Sequence, residues 1–312
     1  MKLVYCGTPM FAVPPLQALV GAGHAVLLVV TQPDRPKGRG MEVALSPVKQ
    51  KALELGLAVA QPEKIKNNLE FRAQLEALAP DCIVVVGYGR IIPRWMLDLP
   101  PHGNINLHAS LLPKYRGAAP IQWAIANGEC VTGNTTMRID EGLDTGDILL
   151  QRTMAIGSED TSVTLAPRLA AMGADLLVET LAALAEHRVQ PTPQDNERAT
   201  LAPILTREDG RIQFARDSAQ TTCNRHRGFQ PWPGAFTTFR GKQLTLHAIS
   251  TAASAGALAR GEIVVVGEQL LAGCAEQTAI AIRELQLEGK RRMSAREFIN
   301  GYQPKAGEVL GS

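Results

Sequence analysis

The chain has 312 residues, 45% hydrophobic, 20% charged and 4% aromatic, enough apolar material to bury a core and a length that fits about two domains. With 32 Lys and Arg against 30 Asp and Glu, the formal charge of +2 does not announce a nucleic-acid partner. Apolar runs such as 25–30 and 82–86 fall short of the ~20 residues of a membrane span, the first residues lack a signal-peptide pattern, and five scattered cysteines without a Cys-x-x-Cys pair argue against a disulfide framework or a structural zinc. A soluble, cytoplasmic chain is expected.

In chain order, the first half alternates β-branched runs with helical patterns. Strands are expected at 3–6, 25–31, 57–60, 82–86, 105–108 and 135–139, and helices at 10–20, 47–55, 69–78 and 119–126. That alternation predicts a doubly wound, mostly parallel, Rossmann-like α/β sheet, with ligands at the carboxyl ends of its strands. A long helical segment over 161–187, with Ser158 and Asp160 as candidate caps, closes the unit. The stretch 188–203, carrying Pro191, Pro193 and Pro203, has no periodicity and reads as a linker. After it, a helix over 218–227 precedes strands at 236–239, 244–249, 262–266, 269–274 and 278–287, which together predict a small OB-like β-barrel. A short helix over 294–300 follows Lys290-Arg291-Arg292. The expected division is a catalytic domain at 1–187, a linker at 188–206 and a barrel at 207–312. Residues 1–206 hold 18 basic and 20 acidic side chains, residues 207–312 hold 14 and 10, so the positive charge is concentrated in the C-terminal third.

Several motifs are absent, and their absence narrows the chemistry. Gly21-Ala22-Gly23 lies between a helix and a strand, the reverse of a dinucleotide fingerprint, and no phosphate-cradling Gly-x-x-x-x-Gly-Lys-Ser/Thr occurs. None of the six histidines forms a His-x-x-x-His pair, and no serine lies in a Gly-x-Ser-x-Gly elbow. What remains is the run around Asn106 and His108. Alternate side chains of a strand share a face, so these two project together near a carboxyl end, where an amide donor and a titratable imidazole suit acyl transfer. The competing reading is a turn asparagine and a structural histidine. A second cluster, from Asp140 to Asp147, follows the strand ending near Ile139 and places Asp144 between two glycines at another expected carboxyl end. A solvated acidic loop is the alternative there.

Taken together, the segments lift these ambiguities. Cys6-Gly7-Thr8-Pro9, Thr31-Gln32-Pro33-Asp34-Arg35-Pro36-Lys37-Gly38-Arg39-Gly40, Asn106-x-His108 through Gln122, Gly142-Leu143-Asp144-Thr145-Gly146-Asp147 and Pro231-Trp232-Pro233 closely resemble the methionyl-tRNA formyltransferase family, in order and across almost the whole chain. The resemblance implies a folate-dependent, metal-free formyl transfer from 10-formyltetrahydrofolate to the amine of methionyl initiator tRNA by a monomer. It implies Asn106, His108 and Asp144 as the catalytic trio, and Ser110, Leu111, Leu112 and Pro113 along the folate, with Gly87 and Tyr88 near the pterin. Arg35, Lys37 and Arg39 of the first basic loop, and Lys290, Arg291 and Arg292 of the second domain, become candidates for tRNA phosphates. Arg225, Arg227 and Arg240 extend that basic track, and Trp232 reads as a packing anchor. Two departures stand out: Met41-Glu42 where relatives often carry lysines, and Leu201 and Ile204 in place of an aromatic residue and a lysine. Rival readings are formylation of a small amine and a folate- or RNA-binding module without turnover.

Overall fold

A computed structural model describes residues 1–37, 42–252 and 258–311. The described chain forms two compact units. The first comprises 1–120, 131–155 and 165–203, and the second comprises 121–130, 156–164 and 204–312. The segments 121–130 and 156–164 join the second unit through specific contacts there. Trp123 meets Phe229 edge to face at 5.2 Å, and the Arg227 guanidinium donates to the carbonyls of Gly157 and Asp160.

The first unit contains β1 (Lys2–Gly7), α1 (Val13–Gly21), β2 (Ala25–Val30), β3 (Arg35–Lys37), β4 (Glu42–Ala44), α2 (Pro47–Glu54), β5 (Val59–Ala60), α3 (Leu69–Leu78), β6 (Cys82–Val86), α4 (Arg94–Leu97) and β7 (Asn104–His108). After α5 (Pro120–Ala126), which clusters with the second unit, come β8 (Val131–Arg138), β9 (Ile148–Ala155) and α6 (Ser162–Ala185). The sheet order is β5-β2-β1-β6-β7-β8-β9. Its central strand β6 is apolar and buried at every position because both faces are covered. Leu3, Tyr5, Val29 and Val84 pack with Leu16 and Leu19 of α1 and Leu177 and Leu181 of α6. Val4, Cys6, Ile83 and Val85 pack on the other face with Phe71 and Leu75 of α3 and Met96 of α4. Each fully buried leucine of this kind contributes about 1.5–3 kcal/mol. Two helix starts are set by polar caps: Ser46 accepts from the Lys49 amide with Pro47 in the first turn of α2, and Asn68 accepts from the Phe71 amide at the start of α3.

Three expectations are revised. The strand predicted at 135–139 is β8, and it runs antiparallel to β7, so its carboxyl end is not at the edge where β7 ends. Hydrophobic patterning identifies a buried strand but does not encode its direction. The antiparallel edge strand β9 lies outside the expected elements, although its exposure alternates from Leu150 onward. Part of the expected basic loop is the β3–β4 hairpin, with Arg35 opposite Ala44 and Lys37 opposite Glu42.

The second unit holds α7 (Ala219–Gly228), β10 (Ala235–Phe239), β11 (Lys242–Thr251), β12 (Ile263–Val266), β13 (Gln269–Gly273), β14 (Ala279–Leu287), β15 (Met293–Ser294) and α8 (Ala295–Tyr302). Its strands form an antiparallel sheet ordered β10-β11-β14-β13-β12, with β15 beside β14. Leu244, Leu246, Ile280, Ile282 and Leu285 pack on Phe298 of α8, whose first turn is fixed by a Ser294–Glu297 capping box. Among the described residues, no helix is long and apolar enough to cross a membrane.

Candidate active site

Asn106 lies opposite Val85 in the parallel β6–β7 ladder, so it and His108 share the sheet face that carries Ile83 and Val85. Asp144 reaches this face by a tight fold-back. The Arg138 amide donates to the Asp147 carbonyl, and Gly146 lies so close to the Arg138 carbonyl that a Cβ would sit 2.0 Å from that oxygen. Asp144 itself adopts φ 53°, a left-handed conformation that aspartate and asparagine tolerate better than most residues. The three predicted side chains therefore meet, although not by the shared strand-end placement expected from the sequence.

The geometry of the trio is definite. The Asn106 amide nitrogen lies 3.4 Å from Asp144 Oδ1, and His108 Nδ1 lies 3.5 Å from Asp144 Oδ2. The Gly117 amide donates to the same Oδ2 at 2.8 Å. His108 Nε2 is 2.8 Å from the Tyr115 carbonyl. A carbonyl only accepts, so Nε2 carries the hydrogen, and Nδ1 is the ring atom turned toward the carboxylate. His108 is 6% exposed, whereas Asn106 and Asp144 are partly accessible.

The turn after β7 is pinned to neighbouring strands. Thr135 Oγ1 donates to the Ser110 carbonyl and accepts from the Leu112 amide, while Gln151 Nε2 donates to the Leu112 carbonyl at 2.9 Å. Ser110 is fully buried and its hydroxyl donates to the Lys114 carbonyl at 2.6 Å. Leu112 is buried, while Leu111 and Pro113 keep partial exposure. Along the loop after β6, the Tyr88 ring is 2% exposed among core side chains. Burial pushes its hydroxyl up to about 12, and its carbonyl accepts from Gln32 Nε2 at 3.0 Å. The flanking Gly87 and Gly89 are exposed with φ 56° and 76°, so that loop offers backbone rather than the tyrosine side chain. Ile91 is 89% and Leu143 64% exposed, apolar side chains in the loops that follow β6 and β8. Among the described residues, no group of three His, Cys, Asp or Glu could hold a metal ion.

The basic residues separate into two kinds. Arg39 lies outside the described residues, and Arg35 and Lys37 belong to β3. Lys290, Arg291 and Arg292 are exposed in the connection from β14 to β15, with Arg291 3.2 Å from Glu297 and Arg292 paired with Glu284. Arg225 donates to the Asp209 carbonyl, Arg227 braces 157–160, and Arg240 pairs with Glu308 at 2.7 Å. Arg225 and Arg227 are anchored internally, whereas Arg240 is exposed like Arg291 and Arg292. Trp232 is exposed rather than a packing anchor, and Leu201 and Ile204 are exposed as well.

Residues 1–181 match the family described as Formyl transferase, and residues 204–303 match the family described as Formyl transferase, C-terminal domain. These matches and the fold define an enzyme that transfers formyl groups. A methionyl-tRNA formyltransferase from Koribacter versatilis (strain Ellin345) is 65% identical over 311 residues, covering 100% of this chain and 99% of the relative. One from Acidobacterium capsulatum is 64% identical over 301 residues, covering 96% of each. The chain belongs to the methionyl-tRNA formyltransferase family. Among solved structures, the fold is similar to that of WlaRD, a sugar 3N-formyl transferase crystallised in the presence of dTDP and 5-N-formyl-THF (TM-score 0.66, 17% identity, 93% of this chain and 99% of that one). It is also similar to HypX from Aquifex aeolicus in complex with tetrahydrofolic acid (TM-score 0.60, 16% identity, 98% of this chain and 48% of that one).

Proposed function

We propose that this enzyme transfers the formyl group of 10-formyltetrahydrofolate to the α-amine of methionyl initiator tRNA, with Asn106, His108 and Asp144 as its catalytic residues. The observation that carries the catalytic part is the convergence of Asn106 Nδ2 and His108 Nδ1 on the two oxygens of the Asp144 carboxylate. The formyl donor supplies an electrophilic carbonyl carbon. A carboxylate only accepts, so the Asn106 amide turns its nitrogen toward Asp144, and its second N–H is left to stabilise the negative charge that develops on the formyl oxygen. Asp144, the accessible partner of the pair, accepts the proton released by the attacking amine, and His108 Nδ1 stands behind it to share that proton; as the tetrahedral intermediate collapses, the bond from the formyl carbon to N10 breaks and the proton passes to N10 of the departing tetrahydrofolate. The Tyr115 carbonyl holds the ring in the orientation this requires.

Leu111, Pro113, Ile91 and the Gly87 and Gly89 backbone would line the folate. Ser110, Leu112 and Tyr88 support that lining through the buried contacts described above. Arg35, Lys37, Lys290, Arg291 and Arg292 would meet tRNA phosphates, supplying salt-dependent affinity with little sequence information. A cytoplasmic monomer suits this task. The testing experiment offers purified enzyme and 10-formyltetrahydrofolate three acceptors: methionyl initiator tRNA, methionyl elongator tRNA and a free amino sugar nucleotide. The expected result is fast formylation of the initiator alone. Turnover of the small amine with both tRNAs inert would overturn the assignment.

A further inference from the structure

The segment that reads as a linker carries a side chain tied into the catalytic turn. Gln194 Nε2 donates to the Asp144 carbonyl at 2.9 Å and to the Gly146 carbonyl at 2.7 Å. Its Oε1 accepts from Arg116 Nε at 3.0 Å and Nη2 at 2.8 Å. The orientation of this amide is fixed by chemistry, because a guanidinium only donates and carbonyls only accept. Arg116 is 7% exposed and its Nη2 also donates to Asn196 Oδ1 at 2.9 Å. Its backbone is laced to the same segment: the Arg116 amide donates to the Thr200 carbonyl at 2.8 Å, and the Ala202 amide to the Arg116 carbonyl at 2.7 Å. One neighbour of Arg116, Tyr115, holds His108 Nε2, and the other, Gly117, holds the Asp144 carboxylate. Gln194 thus joins the backbone of the turn that carries Asp144 to the turn that orients both His108 and Asp144.

We propose that Gln194 is a positioning residue for formyl transfer: its amide fixes the backbone of Asp144 and Gly146 against Arg116 and so sets the carboxylate at its distance from His108. This rests on the catalytic reading of Asp144 given above. Two neutral donors on the Asp144 and Gly146 carbonyls hold the turn while leaving the carboxylate free for the proton. Replacement of that amide by a carboxylate of the same shape keeps an acceptor for Arg116 and sets oxygen against two carbonyl oxygens.

The test compares Gln194→Glu, Asn196→Ala and Asp144→Asn with wild type for kcat, for KM toward formyl donor and charged tRNA, and for thermal midpoint. Misplacement of a reacting group by about 1 Å costs on the order of 100-fold. Q194E is therefore expected to lose about 10- to 100-fold in kcat with both KM values within about twofold. N196A, which removes an Arg116 contact and leaves the Asp144 turn untouched, is expected to keep its kcat. Should Q194E fail to fold, Gln194→Met, an uncharged side chain of similar length that lacks both the donors and the acceptor for Arg116, carries the same expectation. A kcat within about twofold of wild type for Q194E, an equal loss in N196A, or a loss confined to KM would overturn the proposal while D144N stayed inactive. An active D144N would overturn the catalytic reading and the positioning role together.

Discussion

Replacing Asp144 by asparagine separates the charge of this side chain from its shape. Asparagine tolerates the left-handed φ of 53° about as well as aspartate, and its oxygen can still accept from the Gly117 amide, now 2.8 Å from Oδ2. A hydrogen bond to a charged group contributes about 1.5–3 kcal/mol against 0.5–1.5 for a neutral one, so D144N should cost only about 1 kcal/mol of stability. Alanine at the same site would leave the Gly117 amide without its acceptor, at about 1–3 kcal/mol, and would strain the backbone further. The catalytic loss is of another size. Removal of a general base raises the barrier by about 2.7–5.4 kcal/mol, a rate loss of about 100- to 10,000-fold. Single-turnover formylation of charged initiator tRNA, with a thermal melt on the same preparation, measures both. A folded D144N whose rate lies within about threefold of wild type would refute the role of the carboxylate.

Other consequences are as concrete. Burial pushes Cys82 up to about 12, Cys223 and Cys274 to about 11, and Cys6 higher still. Cys130 alone of the five is exposed, so one thiol should react quickly with a disulfide reagent at pH 8; two or more fast thiols would contradict the packing. Arg227→Ala should cost about 1–3 kcal/mol of stability through its lost bonds to Gly157, Asp160 and Asn224, leaving the salt dependence of tRNA binding unchanged. Arg291→Ala, at an exposed side chain, should leave the melt alone and reduce the salt slope by about one; the opposite pattern would exchange the two assignments. Lys49, with help from Gln61, holds the Asp34 carboxyl below its usual range. Its contribution is therefore present above the unfolded value near 3.8 and fades as pH falls through the lower folded value. The stability gap between wild type and Asp34→Asn in urea should be full at pH 7 and shrink below about pH 4; a gap independent of pH would remove Asp34 from the account.

What was legible in the sequence follows the range of the physical signal. Asn106 and His108 share a face because strand periodicity is local, and that expectation survives in β7. Asp144 came from its glycine-rich motif and the family resemblance, yet its route to His108 depends on β8 running antiparallel, which a buried strand of mixed Thr, Asn and Met does not announce. The role of 188–203 was invisible because aperiodic segments are held by long-range hydrogen bonds. Gln194 meets Arg116 across 78 positions and the Asp144 carbonyl across 50. Charge alone could not separate Arg227, whose partners include backbone carbonyls, from Arg291 at the surface. The proline-flanked Trp232 looked fit for a core, but its neighbours leave it 55% exposed.

The central claim is that His108 and Asp144 act as one unit with Asn106 in formyl transfer. A cycle of His108→Ala, Asp144→Asn and the double variant, read by single-turnover formylation of methionyl initiator tRNA, tests it most directly. Residues that act as a unit are grossly non-additive, so the double variant should be no slower than the slower single variant by more than about threefold. Losses that multiply across the cycle would contradict it and assign the two side chains independent tasks.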